Sequence, residues 1–301
     1  GTHKPEVSGS IPLPATKKMK NIKKSFKESP KYSIKWNNYF DIYNNLFQKF
    51  VGKKITFIEV GVGNGGSLFM WKNFFGKKAK IIGIEMNPEA KKLEKKGFKI
   101  FIGDQSDPNF WEKFYKKVGK VDILLDDGGH KNIQQVTTFM ESYNYIKPGG
   151  MIIIEDTHTS FMKKKGFKNP SKYSFVSFSK YIIENLHRRN PMVEKKLNDL
   201  SQKIESITFY DSIVCINFNL KKIMNKTKLI ENNQRLRDHF IDYRHKSNLI
   251  NSLKFFKKIF GKINENTLLY KIIRKTFHRN FFVTLKEKNR IKKYIDLLKS
   301  H

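Results

Sequence analysis

Between residues 54 and 156 the chain repeats one pattern four times, a short apolar run, then an acid or glycine, then a segment with helical spacing, and ends on a fifth apolar run followed by acids. The runs are 54–60 (KITFIEV), 80–85 (KIIGIE), 98–102 (FKIFI), 121–125 (VDILL) and 151–154 (MIII). Helical segments fall at 67–75, 88–96, 110–118 and 133–145. Parallel strands need a crossover connection, and a helix is the usual one. This alternation therefore predicts an α/β domain: a Rossmann-like parallel sheet with helices on both faces. Such a sheet binds its ligand beyond the carboxyl ends of the strands. The acids Glu59, Glu85, Asp104, Asp126, Asp127, Glu155 and Asp156 all fall there.

The flanking segments complete the outline. Tyr39, Tyr43, Leu46, Phe47 and Phe50 recur at helical spacing within 35–50. Residues 173–190 and 192–203 read as helices. Residues 204–218 read as two strands turning near Asp211-Ser212, a hairpin that closes one sheet edge. From residue 221 the character changes: 22 Lys and Arg stand against 6 Asp and Glu, a net +16 of the chain's +33. Leu253, Phe256, Phe260 and Ile263 make an apolar stripe between lysines, and Ile291, Tyr294, Ile295 and Leu298 repeat it. The expected domains are a flexible arm over 1–30, the α/β domain over 31–220, and a basic helical extension over 221–301.

The charge leaves several partners open: nucleic acid, a membrane surface touched by the basic helices, or a phosphorylated substrate. Against these stands a lysine bias spread over solvated faces. No RNA-binding signature accompanies the charge. No run of eighteen apolar residues is present and no leader is legible, so the chain is read as cytoplasmic, with peripheral contact to the inner face of a membrane left open. The single cysteine, Cys215, lies in the apolar run SIVCINF and is expected to be buried.

Four constellations carry chemistry. The first, Glu59-Val-Gly61-Val-Gly63-Asn-Gly65-Gly66-Ser67, is a glycine turn between strand and helix, which lets a ligand approach the backbone. Glu59 just before it favours a cationic or zwitterionic ligand over a pyrophosphate. Glu85, about twenty residues on, can accept both hydroxyls of a ribose. Gly103-Asp104-Gln105-Ser106 offers groups for an adenine edge, or equally a helix cap. Asp126-Asp127-Gly128-Gly129-His130 and Glu155-Asp156 gather carboxylates at two neighbouring strand ends. Adjacent carboxylates repel, and a divalent cation removes that cost. Oxygen ligation suits Mg²⁺. His130 could take a proton from a hydroxyl on that cation, and His158 is a second, lower-ranked base.

In this order, IEVGVGNGGSLFMW, GIEMNPEA, GDQSDPNF, DILLDDGGHKN and IIIEDTHTS resemble the class I S-adenosylmethionine-dependent methyltransferases of the macrolide-sugar type. These are metal-dependent O-methyltransferases of deoxysugars on macrolides such as mycinamicin, related to polysaccharide and rhamnosyl O-methyltransferases, some labelled cephalosporin hydroxylase. The resemblance covers about residues 35–218. It implies a seven-stranded sheet with an antiparallel final strand. It places Mg²⁺ on Asp127, Glu155 and Asp156, with His130 as general base. S-adenosylmethionine falls to Glu59, Gly61, Gly63, Glu85, Asp104, Gln105 and Asp126. Tyr39 resembles a tyrosine near the acceptor. The chain departs from the family pattern at Gly129, where a serine is usual, at Thr157-His158, and after Ser160. The basic tail has no counterpart in it.

The implied reaction is methylation of a sugar hydroxyl on a surface glycan or natural-product glycoside, free or linked to a nucleotide or lipid through pyrophosphate. A homo-oligomer remains open. The rival class is an RNA methyltransferase using the basic surface, and the chain contains no N/D-P-P-Y/F amino-methylation motif to support it.

Overall fold

The five apolar runs become five parallel neighbours. The computed structural model describes residues 20–163, 172–219, 224–230 and 285–299. Strands β1 (Thr56–Val60), β2 (Lys80–Glu85), β3 (Lys99–Ile102), β4 (Val121–Asp126), β5 (Ile146–Ile154), β6 (Ile204–Tyr210) and β7 (Ile213–Phe218) form one sheet. Their order is β3-β2-β1-β4-β5-β7-β6. β7 runs antiparallel to β5, and β6 antiparallel to β7, so the expected hairpin closes one edge. The chain winds one way from β1 to β3 and the other way from β4, so the switch point lies where Val60 pairs with Asp126.

The helices are α1 (Ile22–Lys27), α2 (Tyr39–Phe47), α3 (Gly66–Phe75), α4 (Pro108–Val118), α5 (Asn132–Ser142), α6 (Phe175–His187), α7 (Asp199–Lys203) and α8 (Leu285–Lys299). Pro88–Lys96 is a 3-10 helix, capped by the Asn87 side chain and ended by Gly97 at φ 82°. The central strands are buried on both faces, and alternate residues serve opposite layers. Phe57, Ile123, Leu125, Ile153 and Cys215 face the layer that holds Tyr43, Phe47 and Trp71. Ile58, Val60, Leu124, Ile152, Val214 and Ile216 face the layer of Trp111, Phe114 and Phe139. Cys215 is fully buried, as its apolar run implied.

Three boundaries differ from the sequence reading. Within the expected flexible arm, residues 20–30 carry α1, whose Ile22 is fully buried. The helix expected over 192–203 shrinks to α7, because Pro191 follows the end of α6 and Asn198 caps a new start. The chain divides into compact units at Leu229/Ile230 rather than at 220/221. The physical reason is that Met224 N–H donates to Gln202 O and Thr227 N–H to Arg189 O, tying 224–227 back to the first unit.

The second unit contributes α8, where Ile291, Tyr294, Ile295, Leu297 and Leu298 are exposed. The stripe expected at 253–263 lies outside the described residues. Among the described residues no helix is long and apolar enough to cross a membrane.

Candidate active site

Every acid singled out above sits at a strand end, and strand parity decides which way each one points. On β1, Glu59 shares the side of Phe57; on β4 and β5, Asp127 and Glu155 follow Leu125 and Ile153. Three neighbouring strands therefore send one carboxylate each to the α2 and α3 side of the sheet. A cation meets them there. The Lys35 ammonium lies 2.5 Å from Asp127 Oδ2 and 2.7 Å from Glu155 Oε2, and its side chain is 2% exposed. Tyr43 donates its hydroxyl proton to the other Glu155 oxygen. Burial alone would lower the lysine, but the charges of Asp127, Glu155 and Glu59 outweigh it and hold the ammonium above its usual range. Burial pushes Glu155 well up and Glu59 up to about 7, each against the pull of Lys35.

Asp156 turns the other way. It adopts φ 52° and His130 adopts φ 56°, left-handed conformations that non-glycine residues rarely take. The turn brings His130 Nε2 to 3.3 Å from Asp156 Oδ2. Tyr39 donates its hydroxyl to Asp156 Oδ1 at 2.5 Å. His130 Nδ1 is buried, with no partner among the described residues, which leaves Nε2 as the nitrogen a ligand could reach. One ligand atom each from Asp127, His130 and Asp156 lie within 4.8 Å of one another. His158 is set aside from this trio, since its Nδ1 pairs with the Ser212 hydroxyl and its ring meets Trp36 edge-on.

Beside the trio lies a cavity of about 470 Å³, lined by Gly61, Gly63, Glu85, Asp104, Gln105 and Asp127 and walled on one side by Tyr32, Ser33 and Ile34. Its size suits a small-molecule ligand. Glu85 Oε2 accepts the N–H groups of Val62 and Gly63, both at 2.9 Å. A carboxylate already occupies the turn's donors, and its charge would repel a pyrophosphate. Gly61 stands at φ 85°, and a Cβ there would fall 2.1 Å from Asp127 O, so the crossing of β1 and β4 requires glycine. Asp104 faces the cavity while its Oδ1 accepts from Ser106; the cap of α4 is Asp107 instead.

Several expected contacts are corrected by this arrangement. Glu59 and Asp126 are fully buried and do not line the cavity. Glu59 accepts from Ser67 and Trp71 on α3. Asp126 faces the opposite layer, where both its oxygens accept from Gln105 Nε2, and Gln105 Oε1 accepts from Gly129 N–H. Asp126 thus positions Gln105 and the glycine loop. Tyr39 is 1% exposed and supports Asp156 rather than facing an acceptor. Glu155, expected as a metal ligand, is fully buried with both oxygens taken by Lys35 and Tyr43. At Gly129, where a family serine was noted, a Cβ would meet the Gln134 amide at 2.3 Å. Sequence reasoning missed Lys35 and the cavity wall at 32–34. Lys35 is one of 60 Lys and Arg, and only its position four residues before Tyr39 sets it apart.

Two carboxylates, Asp127 and Asp156, converge within reach of one divalent cation beside the His130 imidazole, and an ammonium already rests between Asp127 and Glu155.

No family model matches the chain. Over 165 residues it is 30% identical to the 8-demethyl-8-alpha-L-rhamnosyl tetracenomycin-C 2'-O-methyltransferase of Streptomyces olivaceus, covering 52% of this chain and 43% of that protein. It is 31% identical over 126 residues to the mycinamicin VI 2''-O-methyltransferase of Micromonospora griseorubida, covering 40% and 31%. MycE methyltransferase from the mycinamycin biosynthetic pathway, in complex with Mg, SAH and mycinamycin VI, superposes with a TM-score of 0.60 at 21% identity, over 67% of this chain and 54% of that one. The chain has the class I methyltransferase fold. Its similarity to the sugar O-methyltransferases spans about half or less of their length. Within this methyltransferase fold the cavity occupies the switch point between β1 and β4, and the trio of Asp127, His130 and Asp156 lies on the β4 and β5 side of it.

Proposed function

We propose that this chain is an S-adenosylmethionine-dependent O-methyltransferase, assisted by Mg²⁺ or a similar divalent cation, that acts on a sugar hydroxyl. The observation that carries the reading is the convergence of Asp127, His130 and Asp156 within 4.8 Å, where the loop after β4, which also lines the cavity that Glu85 lines, meets the loop after β5. The named relatives support the substrate class, since they methylate sugars on tetracenomycin and mycinamicin. A carrier bearing pyrophosphate suits the net charge of +33. The nucleic-acid reading has no observation of its own in this site.

When bound, the cation would acidify and orient the acceptor hydroxyl, and S-adenosylmethionine would supply the methyl group. The chain's own residues do the rest. Glu85 accepts the ribose hydroxyls and Asp104 presents polar groups to the adenine, while Gln105, its amide held by Asp126 and Gly129, walls the cavity beside them. Gly61 and Gly63 admit the cofactor close to the backbone. Asp127 and Asp156 would hold the cation, and the neighbouring Glu155 carboxylate would add its charge. His130 takes the acceptor proton at Nε2, and the Asp156 carboxylate at 3.3 Å stabilises the charge it gains. Holding acceptor oxygen and methyl carbon in line supplies much of the rate.

The test is a methyl-transfer screen over glycosides, nucleotide sugars and glycan fragments, with and without Mg²⁺. His130→Ala is expected to abolish turnover while SAH still binds in calorimetry. A near wild-type rate would remove His130 from the mechanism, and full activity in EDTA would remove the cation.

A further inference from the structure

The mechanism above leaves one charged group unexplained. Lys35 sits on the segment between α1 and α2, among exposed neighbours: Tyr32 is 72% exposed, Ile34 73% and Trp36 59%. Its own side chain is 2% exposed, inserted between Asp127 and Glu155 and lying over the Tyr43 ring. A lone buried ammonium is costly, and two carboxylates offset that cost here. One oxygen it holds belongs to Asp127, a cation ligand in the proposed reading, and the other to Glu155, whose carboxylate stands beside that ligand. A Mg²⁺ ion binds carboxylate oxygen at about 2.0–2.1 Å and demands near-octahedral geometry. An ammonium bonded to the same oxygens occupies that space and repels the ion.

We infer that Lys35 is a tethered cation that holds the carboxylate cluster when the divalent ion is absent and must withdraw for Glu155 to join the coordination. The inference rests on the cation reading of the site. It has a consequence for the cofactor. Tyr32, Ser33 and Ile34, immediately before Lys35, form one wall of the cavity. The carbonyls of Lys31 and Tyr32 also lie against Gly66, where a Cβ would fall 2.6 and 2.5 Å from them. Withdrawal of Lys35 is therefore expected to shift this wall.

Two measurements on the full chain test this. The first is Mn²⁺ affinity by electron paramagnetic resonance for wild type, Lys35→Met and Lys35→Arg. Removing the competing cation is expected to tighten Mn²⁺ at least tenfold in Lys35→Met, while Lys35→Arg stays near wild type. The second uses wild type alone, so it does not depend on a variant that folds. Reductive methylation read by peptide mass spectrometry is expected to spare Lys35 without metal and to modify it at saturating Mg²⁺. Equal or weaker Mn²⁺ binding by Lys35→Met, or protection of Lys35 that persists with metal bound, overturns the tethered-cation inference alone. No Mn²⁺ binding by any of the three proteins overturns the cation reading beneath it.

Discussion

His130 and Asp156 are two of three non-glycine residues with positive φ among the described residues, the third being Ser212. Each left-handed residue costs roughly 1–2 kcal/mol. The cost persists because neighbours hold the turn: Thr159 Oγ1 donates to the carbonyls of both His130 and Asp156, and Thr157 N–H donates to Ser212 O. Strain gathered on an acid and the base beside it points to function. A direct check compares His130→Gly with His130→Ala in urea. Both lose the imidazole, so glycine should be the more stable by about 1 kcal/mol, because it alone tolerates φ 56° without penalty. Alanine equal to glycine would refute the strain. Glu59 supplies a second prediction, in pH. Its carboxyl rises from 4.5 to about 7, chiefly by burial. Below 4.5 both folded and unfolded chains hold the proton. Between 4.5 and about 7 only the folded chain holds it, so stability falls as pH rises through that window. The fall attributable to Glu59 is about 3 kcal/mol at 1.36 kcal/mol per unit. Glu59→Gln should lose that part of the slope, and an unchanged slope would show that Glu155 carries it instead.

At the scale of elements, the sheet and its order of construction were legible because parallel strands buried on both faces read as continuous apolar runs. The hairpin was legible from a turn at Asp211-Ser212 between two strand-like stretches. The strand-end acids were legible as a set, but their directions were not drawn from the sequence. Parity along each strand carries that information: Glu59, Asp127 and Glu155 share one face, and Asp126 takes the other. Reading it required the register between β1, β4 and β5, which pairing in the structure supplies. Lys35 stayed hidden because lysine saturates the chain, and charge without periodicity carries no address. The turn after β1 offers the sharpest test of an element. Gly61→Ala places a methyl 2.1 Å from Asp127 O at φ 85°. The left-handed penalty alone is about 1–2 kcal/mol, and the clash with backbone adds to it. The expected outcome is a drop in melting temperature together with loss of SAH binding. Wild-type binding by Gly61→Ala would mean that β1 and β4 can part without consequence for the cavity.

For the whole molecule, charge and chemistry separate along the chain. Every residue lining the cavity, and the whole carboxylate cluster, lies within the first compact unit, which ends at Leu229. The segment from 221 onward holds nearly half of the net charge of +33 and none of these groups. If the site is self-contained, the basic unit contributes to where the protein works or to what carries the substrate. That division makes a prediction for a chain cut after Leu229. The cut keeps the bonds from Met224 N–H to Gln202 O and from Thr227 N–H to Arg189 O within the first unit. SAH affinity by calorimetry should match the full chain within about twofold, because every residue lining the cavity is retained. Affinity for an anionic probe such as inorganic pyrophosphate should fall on truncation, and the full chain's advantage should shrink as salt rises, because screening acts on exposed charge. A folded truncated chain that no longer binds SAH would show instead that the second unit completes the cofactor site. Equal pyrophosphate binding by both chains would leave the charge of the second unit without a role in carrying the substrate.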